Sequence, residues 1–192
     1  MNWRNKNLFK KTIILAAFIS STFAHQSYAR QTCEEHIVRA AQKYNVPVGI
    51  LYSVGLTETG RNGTLHPHAL NIAGKAVYAR STAHAIELFN NARVKNVKLI
   101  DLGCMQINHH YHHSEFSSLS AMLSPEYNVD YAAKFLARLR RRHENWTMAV
   151  ARYHAGPNND PAQKRYICRV ISNLVATGYG SWTKPARTFC QS

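Results

Sequence analysis

Apolar side chains recur at helical spacing along most of the chain after residue 32. The predicted helices cover residues 33–44, 48–57, 82–94, 146–154 and 161–176, and an apolar stripe indicates one more, at Tyr131, Phe135, Leu136 and Leu139. Pro47 suits the first turn of the second helix, and Ser81 or Thr82 suits the N-cap of the third. The second helix is apolar on most of its sides, so we expect it in the core.

Two segments interrupt the helical pattern. Glycine and proline punctuate residues 61–80, and we expect a small β-hairpin within 69–81, around Gly74. Residues 99–108 predict a tight apolar turn at Gly103. The fold class is therefore mainly α with a small β-hairpin, and no internal repeat or linker divides it.

Residues 1–29 have the pattern of a secretory signal peptide. A basic segment is followed by a short apolar run and by Ser-Tyr-Ala, which predicts cleavage after Ala29, with Ala24 as the alternative site. An uncleaved membrane anchor is the other interpretation, but the apolar run is shorter than the roughly 20 residues that a spanning helix needs. We therefore expect residues 30–192 to form one domain in the periplasm or outside the cell.

The chain is strongly basic. It carries 24 Lys and Arg against 10 Asp and Glu, a formal net charge of +14, and four of the cations lie in residues 1–29. So few carboxylates disfavour calcium or magnesium sites, which need several of them. The arginine-rich run at 138–142 ends a predicted helix, where cations suit the helix dipole. Since an exported chain rarely meets nucleic acid, we expect no nucleic-acid partner.

Four cysteines follow the predicted signal, at positions 33, 104, 168 and 190. An even count in an exported chain predicts two disulfides, with three possible pairings. A Cys168–Cys190 bridge would tie the C-terminal tail to the last predicted helix. The remaining pair, Cys33 and Cys104, would then join the first helix to the turn at Gly103.

Glu58 is the first candidate for chemistry. It follows the predicted core helix, where the negative pole of the helix dipole and partial burial both favour the protonated carboxyl group. A carboxylic acid that is still protonated near neutral pH can protonate the leaving oxygen of a glycosidic bond. A solvated glutamate at a helix end is the alternative interpretation.

Four motifs, in chain order, resemble those of the lytic transglycosylases with a soluble-lysozyme-like (SLT) domain. Glu-Thr at 58–59 is similar to that family's Glu-Ser pair, and Gly-Cys-Met-Gln-Ile-Asn at 103–108 to its Gly-Leu-Met-Gln-Ile-Asn turn. Residues 128–136 resemble its Asn-Ile helix, and Ala-Arg-Tyr-His-Ala-Gly at 151–156 its Ala-Tyr-Asn-Ala-Gly motif. Tyr166 falls where a further family tyrosine is expected.

The resemblance implies a lysozyme-like exported enzyme without cofactor or metal. It implies cleavage of the β-1,4 bond between N-acetylmuramic acid (MurNAc) and N-acetylglucosamine (GlcNAc) in peptidoglycan, with a 1,6-anhydro ring formed on MurNAc. Glu58 would be the single general acid and base, and Asp101 is interpreted as a turn residue. The other implied substrate-binding residues are Thr59, Met105 as an apolar groove wall, Gln106 facing the sugar or Glu58, Tyr153 and Tyr166.

The chain departs from the family pattern in three places. Cys104 replaces leucine, which suggests a disulfide beside the floor of the active site. His154 replaces asparagine, so the usual role of that position is not carried over. The 45 residues from Glu58 to Gly103 exceed the spacing in compact members, and residues 66–100 are therefore interpreted as an insert that shapes the groove.

Other functions are compatible with the same residues. A muramidase would cleave the same bond with water, and a non-catalytic relative would bind peptidoglycan as an assembly factor of a secretion system. The clusters at His66 and His68 and at 109–113 leave a metalloprotein or a pH-sensitive surface as alternatives, but no ligand spacing such as HExxH is present, and we interpret them as structural or surface histidines. The expected partners are glycan strands, whose carboxylates attract a basic chain; the resemblance also permits a secretion, conjugation or flagellar machine.

Overall fold

A computed structural model of the protein describes residues 32–156 and 158–191. In this part of the chain there are nine α-helices, α1 Cys33–Tyr44, α2 Val48–Thr59, α3 Thr82–Val94, α4 His109–His112, α5 Leu119–Leu123, α6 Pro125–His143, α7 Trp146–His154, α8 Asp160–Ala176 and α9 Lys184–Gln191. The strands are β1 Ala69–Ile72, β2 Lys75–Tyr78, β3 Ile100–Leu102 and β4 Ile107–Asn108. The predicted signal peptide lies outside the described residues. None of the helices described is long and apolar enough to cross a membrane.

The predicted fold class, mainly α with a small hairpin, is confirmed. Helices α1, α3 and α7 have the predicted bounds because polar side chains cap them. The Thr32 hydroxyl accepts a hydrogen bond from the Glu35 backbone N–H at the start of α1, and Ser81 accepts one from the His84 N–H at the start of α3. Asn45, in the left-handed conformation, ends α1.

Helix α2 runs two residues further than predicted, to Thr59. The Thr59 side chain is buried, and its hydroxyl donates to the Gly55 carbonyl one turn back and to the Cys104 carbonyl. Glu58 therefore lies within the last turn of α2 instead of after it.

The predicted hairpin is confirmed, but the prediction of a simple turn over residues 99–108 is wrong. This segment forms β3 and β4, which extend the hairpin into one antiparallel sheet in the order β2-β1-β3-β4. Leu70 pairs with Leu102 across the two hairpins, and Leu102 pairs with Ile107. Ile100 and Leu102 are fully buried on either side of a less buried Asp101, an alternation that is typical of a half-buried strand.

The helices pack around α2, whose buried face contains Leu51 and Val54. Helix α8 packs on α2, α1 packs on both α2 and α6, and α7 joins α6 to α8. The favoured disulfide pairing is present: Cys33 bonds to Cys104 and Cys168 to Cys190. The first bridge holds α1 against the turn between β3 and β4, and the second holds α9 against α8.

Candidate active site

A cleft of about 670 Å³ lies where the sheet meets the ends of α2 and α7. Glu58 reaches it from the last turn of α2, Asp101 from β3, and Tyr153 and His154 from α7. The turn between β1 and β2 and the residue before β3 also line the cleft. Residues 66–100, which were interpreted as a groove-shaping insert, thus supply part of its wall.

The Glu58 carboxyl group is held at the cleft by two aromatic side chains. The Tyr166 hydroxyl donates a hydrogen bond to Glu58 Oε1 over 2.6 Å. His154 Nδ1 lies 3.9 Å from the same oxygen, and the His154 ring stacks on the Tyr166 ring with centroids 4.2 Å apart. The Glu58 side chain remains 15% exposed, so the carboxyl group is both oriented and accessible from the cleft.

The surroundings of Glu58 favour its protonated form. Burial raises its pKa to about 7, and the negative charge of Asp101 acts in the same direction. The Tyr166 hydrogen bond and the Arg169 guanidinium oppose the increase, because both stabilise the carboxylate. Near neutral pH Glu58 is therefore present both as the carboxylic acid and as the carboxylate. A residue that first donates and then accepts a proton needs both forms.

The two predicted site tyrosines have different partners. Tyr166 is fully buried and bonds to Glu58, whereas Tyr153 lines the cleft and donates to the Met105 carbonyl over 2.8 Å. Burial raises the pKa of each phenol well above 10, and the charge of Glu58 adds to the increase. Both hydroxyls therefore stay protonated as hydrogen-bond donors.

The turn at 103–106 is held by Asn128 of α6, a residue for which the sequence reasoning gave no individual role. Its side chain is fully buried, accepts from the Met105 N–H over 2.8 Å, and donates to the Leu102 and Met122 carbonyls over 2.9 Å. Gly103 has φ +77°, and a Cβ there would lie 2.7 Å from the Asn128 amide nitrogen. A side chain at position 103 would therefore collide with the group that shapes the turn.

The remaining predicted binding residues lie beneath the cleft or bond to its backbone. Met105 is fully buried and does not line the cleft, so it is not a groove wall. Thr59 is also buried and does not line the cleft. Gln106 lines the cleft, but its amide nitrogen donates to the Ala69 and Gly103 carbonyls.

Asp101 is a second carboxylate in the cleft, and its interpretation as a turn residue is wrong. It is the middle residue of β3, and both of its oxygens accept hydrogen bonds. The Asn71 amide donates to one over 3.0 Å, and the Asn108 amide to the other over 2.6 Å. Burial raises the pKa of Asp101, whereas the two amide donors lower it. The signal in the sequence was the alternation of Ile100, Asp101 and Leu102.

Aromatic side chains form a rim along part of the cleft, where Phe135 packs on Tyr153 with ring centroids 5.7 Å apart. Tyr111 is 67% exposed there, and His112 and Phe135 lie beside it. The His112 Nδ1 and the Tyr131 hydroxyl are 2.8 Å apart, which orients the imidazole ring. Exposed aromatic faces of this kind suit the apolar faces of sugar rings.

The histidine-rich segment after β4 contributes Tyr111 and His112 to this rim, whereas His109 and His113 do not line the cleft. His109 and His113 stack on one another, with centroids 5.1 Å apart. Within residues 32–156 and 158–191, no group of three His, Cys, Asp or Glu side chains is placed to hold a metal ion.

Comparison with known families identifies a family model that covers most of the chain. The family model described as the transglycosylase SLT domain matches residues 35–169. The matched span runs from α1 into α8 and includes every residue discussed at the cleft. Comparisons with curated proteins and with solved structures find no match.

Proposed function

Because the chain belongs to the transglycosylase SLT domain family, which acts on peptidoglycan, we propose that it is a lytic transglycosylase with Glu58 as its general acid and base. The observation that carries the proposal is the Glu58 carboxyl group itself. It is mostly buried, has a pKa of about 7, bonds to Tyr166, and faces a cleft of about 670 Å³. A carboxyl group in that state matches the proton donor of glycoside cleavage.

In the first step Glu58 gives its proton to the oxygen between MurNAc C1 and GlcNAc C4. The bond from C1 to that oxygen breaks, GlcNAc leaves with a hydroxyl group, and positive charge develops at C1. The carbonyl oxygen of the sugar's own acetamido group stabilises this charge. No protein nucleophile is needed for this step.

In the second step the ionised Glu58 takes the proton of the MurNAc C6 hydroxyl. The C6 oxygen bonds to C1 and closes the 1,6-anhydro ring, and Glu58 ends the cycle protonated, as it began. The Tyr166 hydrogen bond stabilises the carboxylate between the two steps. One residue therefore serves as acid and then as base.

The proposed setting is the periplasm or the cell exterior, after removal of residues 1–29. Residues 30–192 keep a charge of about +10, which attracts the protein to the carboxylates of the wall. The Cys33–Cys104 and Cys168–Cys190 bridges suit an oxidising compartment. Local opening of the wall for a secretion, conjugation or flagellar machine is compatible with this setting.

A muramidase is the second candidate, and the position of Asp101 favours it. Hydrolysis needs a second carboxylate to activate water or to act as a nucleophile, and Asp101 lines the same cleft as Glu58. The hydrogen bonds from Asn71 and Asn108 instead suit an Asp101 that orients a sugar.

Product analysis of digested cell-wall sacculi separates these functions. Wild type, Glu58→Gln, Asp101→Asn and the exposed control Glu87→Gln are compared by mass spectrometry of the released muropeptides. We expect anhydro products from wild type and control, none from Glu58→Gln, and the same product type at a lower rate from Asp101→Asn. Products heavier by one water would establish the muramidase, and sacculus binding without cleavage by wild type would establish a non-catalytic protein.

A further inference from the structure

Arg152 brings two buried nitrogen atoms without a hydrogen-bond partner to the wall of the cleft. It lies on α7, one residue before Tyr153, and lines the cleft. Its Nε and Nη1 atoms are both buried, and neither finds an acceptor among the residues that the structure describes. Leaving charged donors buried without an acceptor destabilises a fold by more than about 1–3 kcal/mol for each group. A site that keeps such donors is suited to an acceptor that arrives with the substrate.

The nearby carboxylates are engaged elsewhere. Glu58 bonds to Tyr166, and both oxygens of Asp101 accept from asparagine amides. Asp160 lines an adjacent pocket together with Arg152, but neither buried nitrogen of Arg152 bonds to it. Among residues 32–156 and 158–191, the two buried nitrogens of Arg152 therefore remain without an acceptor.

The charge around Arg152 selects an anionic ligand. A neighbouring pocket of about 630 Å³ shares His154 with the cleft and contains Lys164, Arg165 and Arg169, all from α8. These cations raise the local positive potential, which favours a carboxylate over a neutral acceptor at Arg152. Each of the two buried nitrogens forms a parallel N–H pair with Nη2 of the same guanidinium, the geometry that a carboxylate accepts.

We propose that Arg152 binds a carboxylate carried on the lactyl arm at C3 of the MurNAc residue in the cleft. The inference rests on the proposed function, because it takes peptidoglycan as the substrate. GlcNAc lacks this arm, so the contact distinguishes the two sugars that alternate along the strand. Arg152 thereby sets the register in which the strand lies across Glu58. The carboxylate belongs to the peptide stem where a stem is attached, and to the lactyl group where the stem has been removed.

The test measures binding in a Glu58→Gln background, so that no turnover interferes. Three ligands of equal length are used: stem-bearing glycan strands, amidase-stripped strands that expose the lactyl carboxylate, and chitooligosaccharides, which lack the arm. We expect Arg152→Met to raise Kd for the muramoyl strands by about 10- to 100-fold and to leave the Kd for chitooligosaccharides unchanged. The control Arg141→Met removes an exposed arginine from the last turn of α6 and should change none of the three.

The pattern of losses identifies the source of the carboxylate. If Arg152→Met weakens binding of stem-bearing strands only, the carboxylate belongs to the stem. If it weakens binding of stripped strands only, the carboxylate belongs to the lactyl group. Weaker binding of both kinds of strand means that Arg152 binds either carboxylate. An unchanged Kd for all three ligands overturns the proposal, because the contact would then be absent. An equal rise in Kd for chitooligosaccharides also overturns it, because the contact would then be made with the sugar itself.

Thermal unfolding separates substrate binding from a structural role. Because Arg152 buries donors without acceptors, Arg152→Met should have a Tm equal to or above that of the unsubstituted protein. A Tm lower by several degrees would mean that the arginine supports the fold, and it would overturn the proposal. Since binding is read without catalysis, failure of wild type to cleave sacculi would contradict the proposed function alone.

Discussion

Replacing Glu58 with glutamine should stabilise the protein in a way that depends on pH. The introduced glutamine keeps an oxygen that accepts the Tyr166 hydrogen bond, but it has no charge to bury. In the wild type the folded state raises the pKa of Glu58 from 4.5 to about 7. The folded protein therefore binds this proton more tightly than the unfolded chain does.

The sign of the effect follows from proton linkage. The stabilisation from the protonated carboxyl is fully present below about pH 4.5 and is lost as pH rises through about 7, where the folded protein must bury a carboxylate. At 1.36 kcal/mol for each pKa unit, the raised pKa corresponds to about 3 kcal/mol, of which about 2–3 kcal/mol is lost between pH 5 and pH 8. The free energy of unfolding of the Glu58→Gln variant, relative to wild type, should rise by that amount over the same interval.

Urea unfolding of both proteins at about pH 5 and pH 8 measures this difference directly. Glu87→Gln, an exposed change on α3, is the matched control and should show a difference within about 0.5 kcal/mol at either pH. Taking the variant relative to wild type cancels the titration of the other groups. A variant-minus-wild-type difference that is the same at both pH values would refute the reasoning, because Glu58 would then ionise equally readily in both states.

Three further changes test the parts that position Glu58. Tyr166→Phe removes a hydrogen bond that stabilises the carboxylate, so the pKa of Glu58 should rise further and the alkaline limb of the kcat/KM profile should move to higher pH. Asn128→Ala leaves three buried backbone groups without a partner and should lower the free energy of unfolding by about 3 kcal/mol or more, measured in urea. Replacing Cys33 and Cys104 together by alanine opens a bridge between residues 71 apart and should cost about 4 kcal/mol in the same assay.

Each of these changes has a control and a contrary result. The control Tyr111→Phe alters an exposed tyrosine on the cleft rim and should not shift the alkaline limb of the kcat/KM profile. If Tyr166→Phe moves that limb to lower pH, the Tyr166 hydroxyl does not stabilise the Glu58 carboxylate. For Asn128→Ala, a loss below about 1 kcal/mol would mean that the turn finds other partners. Reducing agent should destabilise wild type more than the double-cysteine variant, which keeps only the Cys168–Cys190 bridge.

The sequence predicted the longer helices well because their ends carry local signals. Ser81 caps α3, and Asn45 adopts the conformation that ends α1. Helices α4, α5 and α9 were not predicted. Helices α4 and α5 are too short to display a helical period, and α9 is a short helix that a disulfide holds against α8.

The candidate site was predictable in its residues but less so in their geometry. Motif order singled out Glu58 and the turn at 103–108, yet it could not distinguish a side chain that faces the cleft from one buried below it. Met105 is buried because its side chain packs toward α2, where its sulfur would lie 3.1 Å from a Cβ at Gly55, 50 residues earlier in the chain. Asp101 faces the cleft because β3 pairs with β1, where Asp101 lies opposite Asn71 from a distant part of the sequence. The alternation of Ile100, Asp101 and Leu102 indicates a strand, but it does not show which strand it pairs with.

The Cys33–Cys104 bridge makes the floor of the cleft sensitive to the thiol chemistry of its surroundings. The bridge and the Thr59 hydroxyl both act on Cys104, and the end of α2 that carries Glu58 is thereby tied to α1 through a covalent link. In a reducing solution the two sulfurs separate, and the turn at 103–106 loses its covalent link to α1. Glu58, which we propose as the general acid, is therefore present as soon as the chain folds, whereas the bridge that braces the neighbouring turn forms only after oxidation.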